Sequence, residues 1–164
     1  MLSLGLPPRE GRLAIAFKVN GSARSVDVPE TTSLLEALRN HLGLTGARYG
    51  CGLEQCGACM VLVDDQPVFA CTRETGTVAG RSVTTIEGIG TPDKLHPLQR
   101  AFLDEQAGQC GYCLSGIILS AKALLDRNPR PSRAQIVEAL DRHLCRCGAH
   151  QRIIRAVERV ARTA

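Results

Sequence analysis

Apolar and polar residues alternate from Leu13 to Val19, pause at Asn20-Gly21, and resume over Val26 to Val28. Alternation lines one face of an extended chain, and Asn-Gly between two such runs predicts a tight hairpin. Ser33-x-x-Glu36 then precedes Leu34, Leu35 and Leu38, which predicts a capped helix running to about Leu42 and ended by Gly43 and Gly46. Met60 to Val63 and Pro67 to Cys71 predict a second hairpin around Asp64-Asp65, and Ser82 to Ile86 a last short strand. Beyond Gly88-Ile89-Gly90-Thr91-Pro92 the period changes and only helical stripes occur. Leu95, Leu98, Phe102 and Leu103 form the first, and Ile117, Ile118, Ala121, Leu124 and Leu125 the second. After Asn128-Pro129-Arg130-Pro131, Ser132-x-x-Gln135 caps a third helix carrying Ile136, Ala139 and Leu140; Ile153, Ile154, Val157 and Val160 line a fourth. The expected organisation is α+β over residues 1–79, a linker over 80–93, and a small helical bundle over 94–164.

Composition narrows the function. With 164 residues the chain has room for one ordinary domain or two small ones, and small domains bury too little apolar surface without a staple such as metal. Two Tyr, three Phe and no Trp, with a net charge of +4 that gathers only towards the C-terminus, do not make a nucleic-acid surface. Met1 to Glu10 has neither a basic start nor a sustained apolar stretch. The longest apolar run, Ile117 to Leu125, is interrupted by Ser120 and Lys122 and is too short to span a bilayer. A cytoplasmic protein is expected, and in that compartment eight cysteines argue for metal rather than disulfides.

The cysteines fall into two sets with none left over. Cys51-x4-Cys56-x2-Cys59, followed after eleven intervening residues by Cys71, has the spacing of a plant-type [2Fe–2S] centre. Gly50, Gly52 and Gly57 flank these ligands, either letting backbone N–H groups approach the sulfurs or simply serving turn geometry. Cys110-x2-Cys113 with Cys145-x-Cys147 is less specific; the spacing admits structural zinc as well as a cluster. Both pairs precede predicted helices, near Leu114 and Ala149, whose positive dipole ends favour anionic sulfur. His96, His143 and His150 are read as structural, because eight thiolates already suffice for two clusters. Asp64, Asp65, Asp104 and Glu105 are read as solvated carboxylates. No nucleophile–base pair and no phosphate loop occurs, so no catalytic residue is assigned.

The stretches Tyr49 to Cys59 (Y-G-C-G-L-E-Q-C-G-A-C), Gln109 to Cys113 (Q-C-G-Y-C) and Leu144 to Cys147 (L-C-R-C) resemble the small iron–sulfur subunit of the xanthine oxidase family of molybdenum hydroxylases, over about residues 13–160. The resemblance implies a β-grasp plant-type ferredoxin domain followed by an all-α four-helix domain, with one [2Fe–2S] cluster each. It also implies a large partner subunit carrying a molybdenum–pterin cofactor, contacted near Gln109 and Cys147. Electrons would enter at Cys110, Cys113, Cys145 and Cys147 and leave through Cys51, Cys56, Cys59 and Cys71. Cys145-Arg-Cys-Gly-Ala-His150 and Ser115 depart from the commoner C-R-C-T-G-Y and proline. They resemble the nicotinate dehydrogenase and isoquinoline oxidoreductase branch, whose members often reduce a cytochrome and have no flavin subunit. The lead expectation is therefore an electron-transfer subunit for hydroxylation of an azaheterocycle such as nicotinate, with cytochrome c or flavin as acceptor. The same role in an aldehyde or xanthine-type enzyme comes next, then a free-standing two-cluster ferredoxin and a zinc-stabilised module. Arg146 either shields a cluster or is simply solvated.

Overall fold

The computed structural model describes residues 14–163. Leu13, where the alternation begins, and Met1–Glu10 lie outside the described residues. Strand β1 (Ile15–Val19) turns through Asn20 and Gly21, both at positive φ, into β2 (Ser22–Val26), with Ile15 opposite Val26 and Val19 opposite Ser22. Two consecutive positive φ angles match the right-handed twist of the strands they join. β3 (Met60–Val63) and β4 (Gln66–Phe69) are joined in the same way through Asp64 and Asp65. The strand β5 (Ser82–Thr84) lies in the middle of the sheet, parallel to β1 and antiparallel to β3, giving the order β2-β1-β5-β3-β4. Residues 82–84 are thus a central strand, and the expected linker over 80–93 is corrected at that point. The element pairs with strands far away in sequence, which no local pattern reveals.

Helix α1 (Leu34–Glu36) is capped by Ser33, whose Oγ accepts the Glu36 N–H at 3.2 Å. The expected regular helix to Leu42 instead widens over Ala37–His41 into a π-turn, in which the Leu42 N–H reaches the Ala37 carbonyl. Leu34, Leu35, Ala37 and Leu38 face the sheet in a core with Phe17, Val61, Val78 and Val83. This is a β-grasp: a mixed sheet curled over one helix.

The second half is helical: α2 (Pro97–Asp104), α3 (Leu114–Arg127), α4 (Arg133–Leu140) and α5 (His150–Ala161). Leu98, Phe102, Ile117, Ile136, Ile153 and Val157 make its core. α4 starts with the expected reciprocal cap of Ser132 and Gln135. α2 starts with one that the sequence pattern did not disclose: the Leu98 N–H donates to His96 Nδ1, and the Gln99 side chain accepts the His96 N–H. α3 differs from the expected one-sided stripe. Ser115 through Ala121 are all buried, because β3 covers the side that the other helices leave open. Leu119 and Ala123 meet Leu62 there. Among the described residues no helix is long and apolar enough to cross a membrane.

The His96 cap titrates. Burial first, and then the charge of Lys122, push its pKa below the usual histidine range, with Asp126 opposing. The unfolded chain therefore takes up a proton near the ordinary value while the folded state resists it, so stability is complete above about pH 6.5 and declines as pH falls towards the lowered folded value. Urea unfolding at about pH 7.5 and about pH 5.5 should show a loss in the wild type that His96→Asn, with a non-titrating cap, reduces. An equal pH dependence in both proteins would contradict this account.

Candidate metal centres

Three thiols of the first set sit on the loop between the π-turn and β3, and Cys71 follows β4 two residues after Phe69. Gly52, Glu54 and Gly57 adopt positive φ, so the loop coils tightly enough to turn successive N–H groups inwards. Cys51 Sγ accepts the N–H groups of Leu53 and Gln55, and Cys56 Sγ that of Cys51, each at 3.3 Å. The Leu53 and Gln55 N–H groups, chiefly, bring the Cys51 thiol down to about 7, against the effect of burial. Cys59 is deeply buried at the entrance to β3, and burial pushes its thiol up to about 12. The side chains associate in twos: Cys51 with Cys56, and Cys59 with Cys71.

The second set repeats the arrangement on helix entrances. Cys113 immediately precedes α3, and Cys145 and Cys147 lie on the loop before α5. Burial pushes the Cys113 thiol up to about 12. At Cys145 burial is the largest influence, yet it is outweighed by the Ala149 N–H, the Cys113 thiol and the N–H groups of Cys147 and Gly148, so the pKa falls. Cys110 is exposed and lowered chiefly by the Tyr112 N–H and the Cys147 thiol. Its pairs are Cys110 with Cys147 and Cys113 with Cys145.

Each set is thus two pairs of thiols among inward N–H donors, with no disulfide among the eight. That donor set fits a [2Fe–2S] cluster, where each iron takes two thiolates and the amide groups stabilise the anionic sulfur. The glycines divide between the two expected reasons. A Cβ on Gly50 would stand 2.6 Å from Cys56 Sγ, so there the requirement is space at sulfur. At Gly52 and Gly57 it is the backbone angle, and at Gly57 also a neighbouring domain.

The two loops touch. The Leu144 N–H donates to the Cys56 carbonyl at 3.1 Å, which links Cys56 to the residue before Cys145. A Cβ on Gly116 would lie 2.0 Å from the Gly57 carbonyl oxygen. His143, only 4% exposed, covers Gly57 and bonds through Nε2 to Ser120 Oγ at 2.8 Å. Burial, then Arg142, push its pKa down to about 4, so it is a neutral seam residue. Gln109 reaches across to the Cys147 carbonyl at 3.5 Å, which brings the two expected pterin contacts together on one exposed edge. Of the other expected structural groups, His96 is the α2 cap and His150 opens α5. Asp64 bonds the Arg81 side chain and the Ser82 N–H, and Asp104 and Glu105 pair with arginines of α5. Sequence reasoning missed Arg48, Tyr112 and the seam role of His143; only the nearness of the first two to cysteines hints at them.

Comparison with known proteins agrees with these two centres. Residues 17–81 match the 2Fe-2S iron-sulfur cluster binding domain family, and residues 85–158 match the [2Fe-2S] binding domain family. The chain is 51% identical to one subunit of the nicotinate dehydrogenase of Pseudomonas putida, over 91% of this chain and 95% of that one. The chain belongs to the small iron–sulfur subunits of the xanthine oxidase family of molybdenum hydroxylases. It is equally 51% identical to the alpha subunit of isoquinoline 1-oxidoreductase from Brevundimonas diminuta, over 92% of this chain and 99% of that one. The crystal structure of the aldehyde oxidoreductase from Desulfovibrio desulfuricans superposes with a TM-score of 0.88 at 44% identity. That match covers 92% of this chain but 17% of the oxidoreductase, so this small subunit spans about a sixth of that larger chain.

The seam can be tested at Gly57. Its φ is +73° and an added Cβ would stand 2.1 Å from His143 Nδ1, whereas Gly80 has φ +72° with nothing within 4 Å. Gly57→Ala should cost about 1–3 kcal/mol more than Gly80→Ala, because both carry backbone strain but only one carries the clash. Thermal unfolding checks the difference, and iron bound per chain should fall in Gly57→Ala alone.

Proposed function

We propose that this subunit passes electrons singly from a molybdenum–pterin centre in a large partner subunit to a cytochrome c or a flavin, during hydroxylation of a nitrogen heterocycle such as nicotinate. The observation that carries the proposal is the pairing of the eight thiols, Cys51 with Cys56, Cys59 with Cys71, Cys110 with Cys147 and Cys113 with Cys145, on loops that share a hydrogen bond from the Leu144 N–H to the Cys56 carbonyl. The two 51% identical relatives, named for nicotinate and isoquinoline, support the substrate class. The structural match to an aldehyde oxidoreductase supports a second reading, in which the same subunit serves an aldehyde-oxidising partner. The substrate pocket belongs to the partner in either case. A cytoplasmic location belongs to the same reading, because cysteines kept for iron–sulfur ligation suit a reducing compartment.

When bound, the clusters supply one-electron acceptors and donors; the chain holds them and sets their surroundings. Cys110, Cys113, Cys145 and Cys147 would hold the entry cluster, with Cys110/Cys147 on one iron and Cys113/Cys145 on the other. Cys51 and Cys56 would share one iron of the exit cluster, and Cys59 and Cys71 the second. Backbone N–H groups aimed at Cys51, Cys56 and Cys145 stabilise added negative charge at sulfur. Gln109 and Cys147 would present a hydrogen-bonding edge to the pterin. Beside Gln109 runs a cleft of about 650 Å³ lined by Leu95, Phe102, Leu103, Leu114 and Ile118, with Leu103 60% exposed, which suits it to the partner surface.

The purified chain should contain about four iron and four acid-labile sulfide, with two distinct EPR signals after dithionite reduction. Two iron and one zinc would remove the entry cluster from the scheme. In the assembled complex, Gln109→Ala should keep both signals yet slow reduction by substrate about tenfold, the kinetic weight of a hydrogen bond of about 1.4 kcal/mol. Unchanged reduction kinetics would dismiss the pterin contact.

A further inference from the structure

Arg48 belongs to the ferredoxin domain, three residues before Cys51, yet its guanidinium lies on the helical domain. Nη1 donates to the carbonyl of Gly111 at 2.5 Å and to that of Tyr112 at 3.1 Å, the two residues that separate Cys110 from Cys113. Cζ stands 5.5 Å from the centroid of the Tyr112 ring, and the Tyr112 hydroxyl donates back to the Tyr49 carbonyl. The arginine is also anchored from its own side. Its N–H donates to the Ala58 carbonyl at 3.0 Å, and the carbonyls of Thr45 and Ala47 just before it are both held by Arg39 Nη1 at 2.7 Å. Arg48 is half-buried, and none of the ion pairs among the described residues involves it.

We infer that Arg48 is a positioning cation lent by the first domain to the centre of the second: it clamps the Gly111–Tyr112 turn and holds an unneutralised charge beside Cys110, raising that centre's reduction potential. The inference rests on the two-cluster reading above. Reduction adds one electron, and so one negative charge, to a cluster that is already anionic, while no bond forms or breaks at the arginine. A cation fixed nearby attracts the reduced state more than the oxidised one, and partial burial limits screening by solvent and salt. The charge acts across the domain boundary. The Arg48 backbone is held by Ala58 of the ferredoxin domain, while its guanidinium rests on the Gly111 and Tyr112 carbonyls, inside the turn that joins Cys110 to Cys113 of the helical domain. The potential of the helical-domain centre therefore depends on the two domains being docked.

The test is an EPR-monitored redox titration of the full chain carrying Arg48→Gln, Arg48→Met or Arg48→Lys, with Cys110→Ser used to identify the signal of the helical-domain centre. Iron and sulfide are counted first in the wild type, since a shortfall there speaks against the two-cluster reading and not against Arg48. With both clusters present, each neutral variant should shift the reduced-to-oxidised ratio of the helical-domain centre about tenfold towards oxidised, about 59 mV for a one-electron couple. The ferredoxin-domain signal should move less, and Arg48→Lys should restore most of the shift. Loss of the helical-domain signal in Arg48→Gln and Arg48→Met but not in Arg48→Lys would equally support the inference, because the charge would then be needed to keep that cluster. Unchanged potentials, equal shifts in both centres, or a lysine variant as impaired as the neutral ones would overturn it.

Discussion

Helix α3 is buried on every side from Ser115 to Ala121, and the positions of both cysteine sets depend on it. It begins at the residue after Cys113, so its N-terminus carries one thiol directly. Ile117, Ile118 and Ala121 join the helical core, while Leu119 and Ala123 meet Leu62 of the sheet. Gly116 admits the Gly57 carbonyl, and Ser120 holds His143 over that same glycine. One rigid element thus sets the distance between two loops that must exchange electrons. Each half alone would be a small domain with a marginal core. Joined through α3, they share apolar surface, and where the two loops meet, Gly57, Gly116 and the buried His143 leave little room to slide.

The thiols obey a second constraint. Four thiolates in one place repel one another, and burial alone raises thiol pKa values, as Cys59 and Cys113 illustrate. The loops answer with N–H groups rather than with carboxylate-paired cations. Leu53, Gln55 and Cys51 donate in the first set, and Ala149, Cys147, Gly148 and Tyr112 in the second. Backbone donors cost no side-chain ordering on reduction, which suits a centre whose charge changes by one electron while its geometry stays fixed. In each set one pair includes a buried sulfur, Cys59 or Cys113, and the other pair has none, so the two irons of either cluster would stand in unequal surroundings.

Much of this could be read from residues in order, for physical reasons that also explain what could not. Cysteine spacing, Asn20-Gly21, Asp64-Asp65 and Ser132-x-x-Gln135 are local: the residues that make the feature lie within one turn or loop. Gln109 beside Cys147 was accessible only through family resemblance, since 38 residues separate them. The central place of β5 was hidden because three residues pair with strands far away in the chain. The π-turn was hidden because the apolar pattern of Leu34, Leu35 and Leu38 suits either helix type. His96 escaped notice as a cap because histidine seldom serves as one. Arg48 looked like any basic residue in a glycine-rich loop; its role arises only when the second domain supplies Gly111 and Tyr112.

The distribution of charge follows from the same folding. Part of the positive charge towards the C-terminus is paired: Arg133 with Glu158, Arg155 with Glu105, and Arg159 with Asp104 and Glu105. These pairs fasten α5 to α2 and α4. Three cations for which no ion pair occurs among the described residues lie around the sulfur loops. Arg142 stacks on Phe69 at 4.3 Å, Arg146 stands exposed between Cys145 and Cys147, and Arg48 bridges the domains. Screening ranks them. An exposed charge such as Arg146 is damped by water and salt, whereas a half-buried guanidinium fixed by two carbonyls keeps most of its field. Of the three, Arg48 is therefore the one whose placement the fold controls most tightly, and the one through which docking of the domains and the energy of an added electron become the same quantity.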